Sequence, residues 1–230
     1  MASEQRFVVA TPHDRFDPVE QRLRAAGLDL VRVRDPEALT AAALAGIAPR
    51  YVFFPHWSWK IPGEVYERFE CIIFHMTDVP YGRGGSPLQN LIVRGHDATM
   101  MTALRCVAEM DAGPVYLKRP LTLAGTAEDI LRRAGELIGD MIVELARTHP
   151  EPREQEGEVT AFKRRKPADG ALGGAASLKE AYDLIRMLDA DGYPRAFAEI
   201  GPFRLEFDRA DLQAGALEAR VRISPREKEA

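Results

Sequence analysis

The sequence has only two cysteines, Cys71 and Cys106, among its 230 residues. Both lie in apolar segments typical of strands, so we expect small core residues in a reducing compartment and not a disulfide framework. The sequence also lacks an apolar run long enough to cross a bilayer. Its first residues, MASEQRF, contain no apolar signal core. These absences predict a cytoplasmic protein with no membrane partner.

An excess of positive charge is also lacking. The chain has 31 basic and 35 acidic residues and a formal net charge of −4, which argues against a protein whose main task is gripping a nucleic-acid backbone. A hydrophobic content of 46% and a charged content of 29% are typical of a globular protein with a core. The length suits one ordinary domain and a smaller one. We expect a catalytic domain over residues 1–150, then a linker and a small module over 151–230.

Strand-like and helix-like segments alternate through the first part of the chain. The predicted strands are RFVVAT (6–11), LDLVRVR (28–34), YVFF (51–54) and CIIFH (71–75). Asp-Pro pairs at 17–18 and 35–36 predict capped helices between them, and PGEVYERF predicts a short one. This rhythm predicts an α/β fold, with a Rossmann-like parallel sheet and helices on both faces.

The second part of the chain predicts more elements and a small C-terminal α+β extension. HPEPREQEGE (149–158) has the composition of a linker or surface crossing. The basic run 163–166 fits either a phosphate contact or a solvated face. The remaining predictions are helices at 87–94, 126–148 and 177–190, and strands at 98–107, 113–119, 203–212 and 218–223. The apolar stripe of the long helix is typical of core packing.

Polar and aromatic residues follow two of the predicted parallel strands. His75 ends CIIFH, and PHWSWKIP (55–62) follows YVFF. Ligands bind parallel α/β sheets at the carboxyl ends of their strands, so these residues are candidates for a site. The alternatives are a core histidine at position 75 and a hydrophobic lid formed by Trp57 and Trp59.

A wider motif extends from His75. Thr77-Asp78-Val79-Pro80, Arg83-Gly84 and Pro87-Leu88-Gln89 follow it, and Asp111-Ala112-Gly113-Pro114 begins 36 residues later (111 − 75 = 36). This pattern resembles the 10-formyltetrahydrofolate-dependent formyltransferases across roughly residues 50–200. HWSWKIP resembles the family's pterin-gripping loop. KRRKPADG resembles the start of its C-terminal part.

The resemblance implies a formyltransferase, with 10-formyltetrahydrofolate as the formyl donor and no metal. The implied catalytic residues are His75 and Asp111. The implied cofactor-binding residues are Trp57, Ser58, Trp59, Lys60, Ile61, Thr77, Asp78, Val79, Pro80 and Met110. The implied substrate-binding residues are Arg83, Gly84, Gln89, Arg164 and Arg165, and Lys166 is a further candidate for phosphate contact.

The acceptor is expected to be a small-molecule primary amine, and the chain is expected to have no nucleic-acid partner. The tail DGYPRAFAEIGPFRLEF resembles the small module of amino-sugar N-formyltransferases, so a nucleotide-linked amino sugar is the favoured substrate. A homodimer is one expected assembly. The rival interpretations are a 10-formyltetrahydrofolate hydrolase and a non-catalytic folate-binding protein.

The chemistry explains why the family places these residue types together. An amine attacks the formyl carbon, and the oxyanion that forms needs a positioned hydrogen-bond donor. A histidine can supply that donor and pass a proton, and a nearby carboxylate favours the charged imidazole.

Two departures from the family pattern stand out. The family's asparagine, two residues before the histidine, is Ile73 here, so His56 and Asn90 are candidates to replace its donor. The shorter N-terminal part predicts one fewer βα unit than the family has. A plainer interpretation of Asp111 is a turn residue ahead of Gly113.

Overall fold

The structure, a computed structural model, describes residues 5–226. Its strands are β1 (Arg6–Ala10), β2 (Asp29–Val33), β3 (Tyr51–Phe54), β4 (Cys71–His75), β5 (Tyr81–Gly84), β6 (Ala98–Arg105), β7 (Val115–Thr122), β8 (Thr160–Phe162), β9 (Ala196–Ile200), β10 (Phe203–Gln213) and β11 (Ala216–Pro225). Its α-helices are α1 (Asp17–Ala25), α2 (Ala41–Ile47), α3 (Gly63–Tyr66), α4 (Pro87–Ile92), α5 (Ala127–Thr148) and α6 (Leu178–Arg186). Within this range, no helix has the length and apolar character needed to span a bilayer.

The chain divides into two compact units. The first comprises Met1–Gly84, Thr99–Leu121 and Arg132–Ala161. The second comprises Gly85–Ala98, Thr122–Leu131 and Phe162–Ala230.

A six-stranded sheet forms the centre of the first unit, in the order β2-β1-β3-β4-β6-β7. β1 pairs in parallel with β2 and with β3, and β3 pairs in parallel with β4. The run YVFF is buried at all four positions, as expected of a parallel strand covered on both faces. The predicted Rossmann-like α/β fold is confirmed.

β6 is an exception within the predicted parallel sheet, because it runs antiparallel to β4. His75 lies opposite Thr102, and Ile72 lies opposite Arg105. β6 therefore ends beside the start of β4, at the sheet edge away from His75. The loop between β6 and β7 must run back along β4 to bring Asp111 towards His75. The expectation that both residues leave from the same sheet edge was wrong for this reason.

The same register places the two cysteines side by side. The Cys106 N–H donates to the Cys71 carbonyl at 2.8 Å, and both thiols are free. Burial raises the pKa of the Cys71 thiol. Burial also raises the pKa of Cys106 to about 11, with the negative charge of Asp111 acting in the same direction. Cys71 belongs to the core as predicted, and Cys106 packs against the same apolar cluster.

α5 confirms the predicted long helix and its apolar stripe. Thr126 and Asp129 form a reciprocal cap, in which each backbone N–H donates to the other's side chain at 3.1–3.2 Å. The buried stripe includes Ile130, Leu131, Ala134, Ile138, Met141, Ile142 and Leu145, whereas Leu137 is half-buried. Gly139 packs closely on α1, since a Cβ there would lie 2.6 Å from Val19 Cγ1.

The second unit contains α6 and a three-stranded antiparallel sheet in the order β11-β10-β9. Ser177 caps α6 by accepting the Glu180 N–H at 3.1 Å. The buried Arg186 guanidinium donates to Asp183 at 2.6 Å and to the Leu123 carbonyl at 2.6 Å. Sequence reasoning predicted β10 and β11 but missed the short strands β5, β8 and β9.

Asn90, the single asparagine of the sequence, is buried in α4 and joins three backbone segments of the second unit. Its Nδ2 donates to the carbonyls of Gly85, Ser86 and Lys163 at 2.9–3.1 Å. Its Oδ1 accepts from Arg94 Nη1 at 2.9 Å. The amide hydrogens are fully engaged, so the hypothesis that Asn90 replaces the family's oxyanion donor is wrong.

We expect Asn90→Asp to lower the free energy of unfolding by about 3 kcal/mol, because a carboxylate would face three carbonyls without a proton to donate. Urea denaturation followed by circular dichroism measures this change. Gln21→Glu, the same amide-to-acid exchange at an exposed site on α1, is the control. An Asn90→Asp stability equal to that of the control would contradict this account of the amide.

Candidate active site

His75 is the last residue of β4, and its imidazole is buried, with 8% of the residue exposed. The ring Nε2 lies 2.8 Å from the Gly82 carbonyl oxygen. Because a carbonyl can only accept, Nε2 carries the hydrogen of this bond. In the neutral ring, Nδ1 is then the nitrogen that can take up a proton.

Asp111 faces that nitrogen. Its Oδ2 lies 3.6 Å from His75 Nδ1 and accepts the Gly84 backbone N–H at 2.9 Å. Gly84 has a φ of +109° and Asp111 a φ of +54°, so both occupy backbone conformations with positive φ, where glycine and aspartate are tolerated best. The predicted contact between the His75 and Asp111 side chains therefore depends on positive φ angles at Gly84 and Asp111.

The arrangement can perform acid–base chemistry. Nδ1 of the neutral ring can accept a proton, and the resulting imidazolium would face the Asp111 carboxylate in a buried setting. The cationic ring can then donate from Nδ1. Among residues 5–226, no group of three or more histidine, cysteine or acidic side chains is arranged to hold a metal ion.

The loop that carries Asp111 is held on both sides. Gly113 lies against β6 so closely that a Cβ would come within 1.9 Å of the Arg105 carbonyl oxygen. On the other side, Gln155 Nε2 donates to the carbonyls of Asp111 and Gly113 at 2.8 Å each. Sequence reasoning missed Gln155, because the composition of residues 149–158 is that of a linker and no motif marks the position.

The position of the family's asparagine is apolar in this chain. Ile73 lies two residues before His75 on β4. It pairs with Phe54 of β3 on one side and with Leu104 of β6 on the other. It packs against the cluster that contains Phe54 and Cys71. No hydrogen bond can come from this side chain.

Unpartnered polar atoms lie after the neighbouring strands β1 and β3. Thr11 Oγ1, His56 Nε2 and Trp57 Nε1 are buried and make no hydrogen bond within residues 5–226. The Trp57 and Trp59 rings meet edge to face, with centroids 5.0 Å apart. Buried polar atoms normally find partners, so this corner of the first unit has the character of a ligand site.

His56 is neutral at pH 7. Burial lowers its pKa to about 4, and the positive charges of His13 and Arg15 act in the same direction. The register that pairs Phe54 with Ile73 places His56 and His75 at the ends of neighbouring strands.

Most of the predicted cofactor-binding residues differ in their exposure to solvent. The buried ones are Thr77, Val79, Pro80 and Ile61, and the exposed ones are Ser58, Trp59, Lys60 and Met110.

Two further predicted residues of the first unit form ion pairs. Asp78 pairs with Lys118 Nζ at 2.5 Å. Arg83 donates to Gln155 Oε1 at 2.8 and 3.1 Å and contacts Glu109 at 3.3 Å. Their cofactor-binding and substrate-binding roles stay predictions.

The remaining predicted residues belong to the second unit. Gln89 is buried in α4. Arg164 is exposed, and the Arg165 guanidinium donates to the Asp169 carbonyl at 2.7 Å. Their roles in substrate binding also stay predictions.

The low pKa of His56 predicts a pH dependence of stability. The unfolded chain takes up a proton near pH 6.5 and the folded chain only near pH 4, so stability should rise as the pH increases between these values and level off above them. We expect His56→Asn to remove roughly 3 kcal/mol of this rise, and asparagine tolerates the φ of +54° at this position. Urea denaturation from pH 4 to 8 measures it. His96→Asn is the control, and an unchanged pH dependence in His56→Asn would contradict the assignment.

The sequence of this chain is similar to those of known formyltransferases. The family model described as the C-terminal domain of methionyl-tRNA formyltransferase matches residues 167–224. A curated methionyl-tRNA formyltransferase from Aromatoleum aromaticum is 29% identical over 194 residues, which cover 81% of this chain and 58% of that protein. The chain spans 55% to 64% of the length of four such curated methionyl-tRNA formyltransferases.

Two solved structures extend the comparison. A sugar N-formyltransferase from Shewanella sp. FDAARGOS_354 has a TM-score of 0.66 at 15% identity, over 98% of this chain and 99% of that one, which shows a shared fold. A methionyl-tRNA formyltransferase from Clostridium thermocellum has a TM-score of 0.93 at 43% identity, over 96% of this chain and 99% of that one. The chain belongs to the formyltransferase family.

Proposed function

We propose that this protein transfers a formyl group from 10-formyltetrahydrofolate to a primary amine. The observation that carries the proposal is the buried pair of His75 and Asp111, with Nδ1 and Oδ2 3.6 Å apart. The bound folate supplies an electrophilic formyl carbon. The amine nitrogen forms a new bond to this carbon, the bond from the carbon to N10 of the folate then breaks, and the proton that the amine loses ends on N10 of tetrahydrofolate. The chain must supply a proton acceptor for the attacking amine and a donor for the developing negative charge.

His75 can serve both needs in turn through Nδ1. Its Nε2–H is held by the Gly82 carbonyl, which fixes the tautomer in which Nδ1 is free to accept a proton. Once protonated, the same nitrogen becomes a donor, and the neighbouring carboxylate stabilises the cation. With Ile73 in place of the family's asparagine, His75 acts without an amide partner at that position.

The proposed binding site for the pterin ring of the folate is the region that follows β1 and β3, here called the pterin corner. A pterin has a flat ring and an edge of hydrogen-bonding atoms, and this corner offers the unpartnered Thr11 Oγ1, His56 Nε2 and Trp57 Nε1. The paired indoles of Trp57 and Trp59 provide an aromatic surface beside them. The predicted binding segment Trp57–Ile61 contains the unpartnered Trp57 Nε1 and both indole rings.

Two classes of acceptor have support. The favoured substrate is a nucleotide-linked amino sugar, supported by the net charge of −4 and by the fold shared with the Shewanella sugar N-formyltransferase. The names of the Clostridium and Aromatoleum relatives instead point to methionyl-tRNA, against the expectation of no nucleic-acid partner. Parallel assays with nucleotide-linked amino sugars and with methionyl-tRNA decide between them.

We expect His75→Gln and Asp111→Asn each to lower kcat for formyl transfer by about a hundredfold or more, because each removes one member of the acid–base pair. Binding of 5-formyltetrahydrofolate, followed by tryptophan fluorescence, should change little, since neither residue belongs to the proposed pterin corner. The matched controls are His96→Gln and Asp97→Asn, in the turn after α4.

Three results would count against the proposal. Formyl transfer at near wild-type rate in both variants would contradict the roles of His75 and Asp111. Formate release by the wild type without any amine would favour the hydrolase. Folate binding without either reaction would favour a non-catalytic binding protein.

A further inference from the structure

We propose that Gln155 is a positioning residue for the Asp111 carboxylate, held in its working orientation by Arg83. The inference rests on the proposed function in that it assigns Asp111 to the reaction. Gln155 lies within residues 149–158, a segment with the composition of a linker, so the proposal gives that segment a part in the catalytic site.

The contacts of Gln155 use both ends of its amide. Nε2 donates to the carbonyls of Asp111 and Gly113 at 2.8 Å each. Oε1 accepts from Arg83 Nε and Nη2 at 3.1 and 2.8 Å. Because carbonyls only accept and a guanidinium only donates, the amide satisfies all four contacts in a single orientation. The side chain is therefore a directed link between Arg83 and the Asp111 loop.

The link acts where the Asp111 loop needs support. Asp111 holds a φ of +54°, a conformation that persists when surrounding contacts maintain it. Its carboxylate is tied to the Gly84 N–H at 2.9 Å, but its own carbonyl and that of Gly113 are tied to Gln155. Without those two bonds, the backbone could rotate and move the carboxylate away from His75 Nδ1.

The segment that delivers Gln155 is itself fixed to the sheet. Arg153 and Val115 exchange two backbone hydrogen bonds at 2.7 and 2.9 Å, which pairs the segment with the first residue of β7. Gln155 lies two residues further on and reaches the turn just before β7. Arg83 immediately precedes Gly84 in β5. Its bonds to Gln155 therefore connect the Gly84 N–H, which contacts the Asp111 carboxylate, to the Gln155 amide, which contacts the Asp111 carbonyl.

Gln155→Glu is the sharpest test, because it keeps the shape of the side chain and replaces the donor by a second acceptor. The carboxylate would face two carbonyls, while its attraction to Arg83 would remain. We expect kcat for formyl transfer to fall by about tenfold to a hundredfold, since small displacements of reacting groups cost that much. The KM for 10-formyltetrahydrofolate should stay within about twofold, because Gln155 does not belong to the proposed pterin corner.

A second readout is independent of activity. The Gly84 amide donates to Asp111, so its hydrogen exchange, measured by NMR, reports whether the carboxylate stays in place. We expect this exchange to accelerate in Gln155→Glu and, less strongly, in Gln155→Met, which keeps the volume and loses the hydrogen bonds. Gln21→Glu, the same chemical change at an exposed site, should leave both readouts unchanged.

The outcomes separate this inference from the proposed function. A wild-type protein without formyl transfer would refute the function, and Gly84 exchange would still decide whether Gln155 positions Asp111. In an active protein, Gln155→Glu with an unchanged kcat overturns the inference. So does a fall in kcat with Gly84 exchange unchanged, because the loss would not act through the Asp111 carboxylate.

Discussion

The contact between the Asp111 carboxylate and the Gly84 backbone N–H, 2.9 Å long, is the interaction on which the site depends. It joins the loop after β6 to β5, which also supplies the Gly82 carbonyl that holds His75 Nε2 at 2.8 Å. The two catalytic candidates are thus oriented by the same four-residue strand. Neither could face the other without it, because β6 carries the chain away from His75 before the loop returns.

Burial gives this contact its weight. The His75 and Asp111 side chains are about 9% and 10% exposed, so water screens their interaction less than it would at the surface. A buried carboxylate is tolerated only when its oxygen atoms find partners, and here a backbone N–H provides one. The loop that carries the carboxylate is also fixed at its backbone, because Gln155 bonds two of its carbonyls and Gly113 lies against β6 with no room for a side chain.

Much of the fold could be predicted from local pattern. The runs around Val8, Val52 and Ile72 are apolar enough to mark buried strands, and the spacing along α5 marks its buried face. The direction of β6 could not be predicted, because strand pairing leaves no trace within the strand's own residues. β5, β8 and β9 are three to five residues long, too short for a period to show.

The site likewise contains residues that the sequence identifies and residues that only the structure identifies. His75 and Asp111 were identified by their resemblance to a family motif, whose spacing survives even though the strand direction was misjudged. Gln155 and Thr11 carry no motif, and only the folded chain shows what they face. Asn90 shows the opposite error: its residue type suited an oxyanion donor, but its amide is consumed by three carbonyls.

The most direct test of the account is a crystal structure of the protein with a non-reactive formylated folate. The account predicts a pterin beside Trp57 and the unpartnered atoms of Thr11 and His56, with the formyl group within about 4 Å of His75 Nδ1, the range from which proton transfer and attack can proceed. A folate bound with its formyl group about 10 Å or more from His75 in an ordered site would contradict the central claim, since no proton could pass between them.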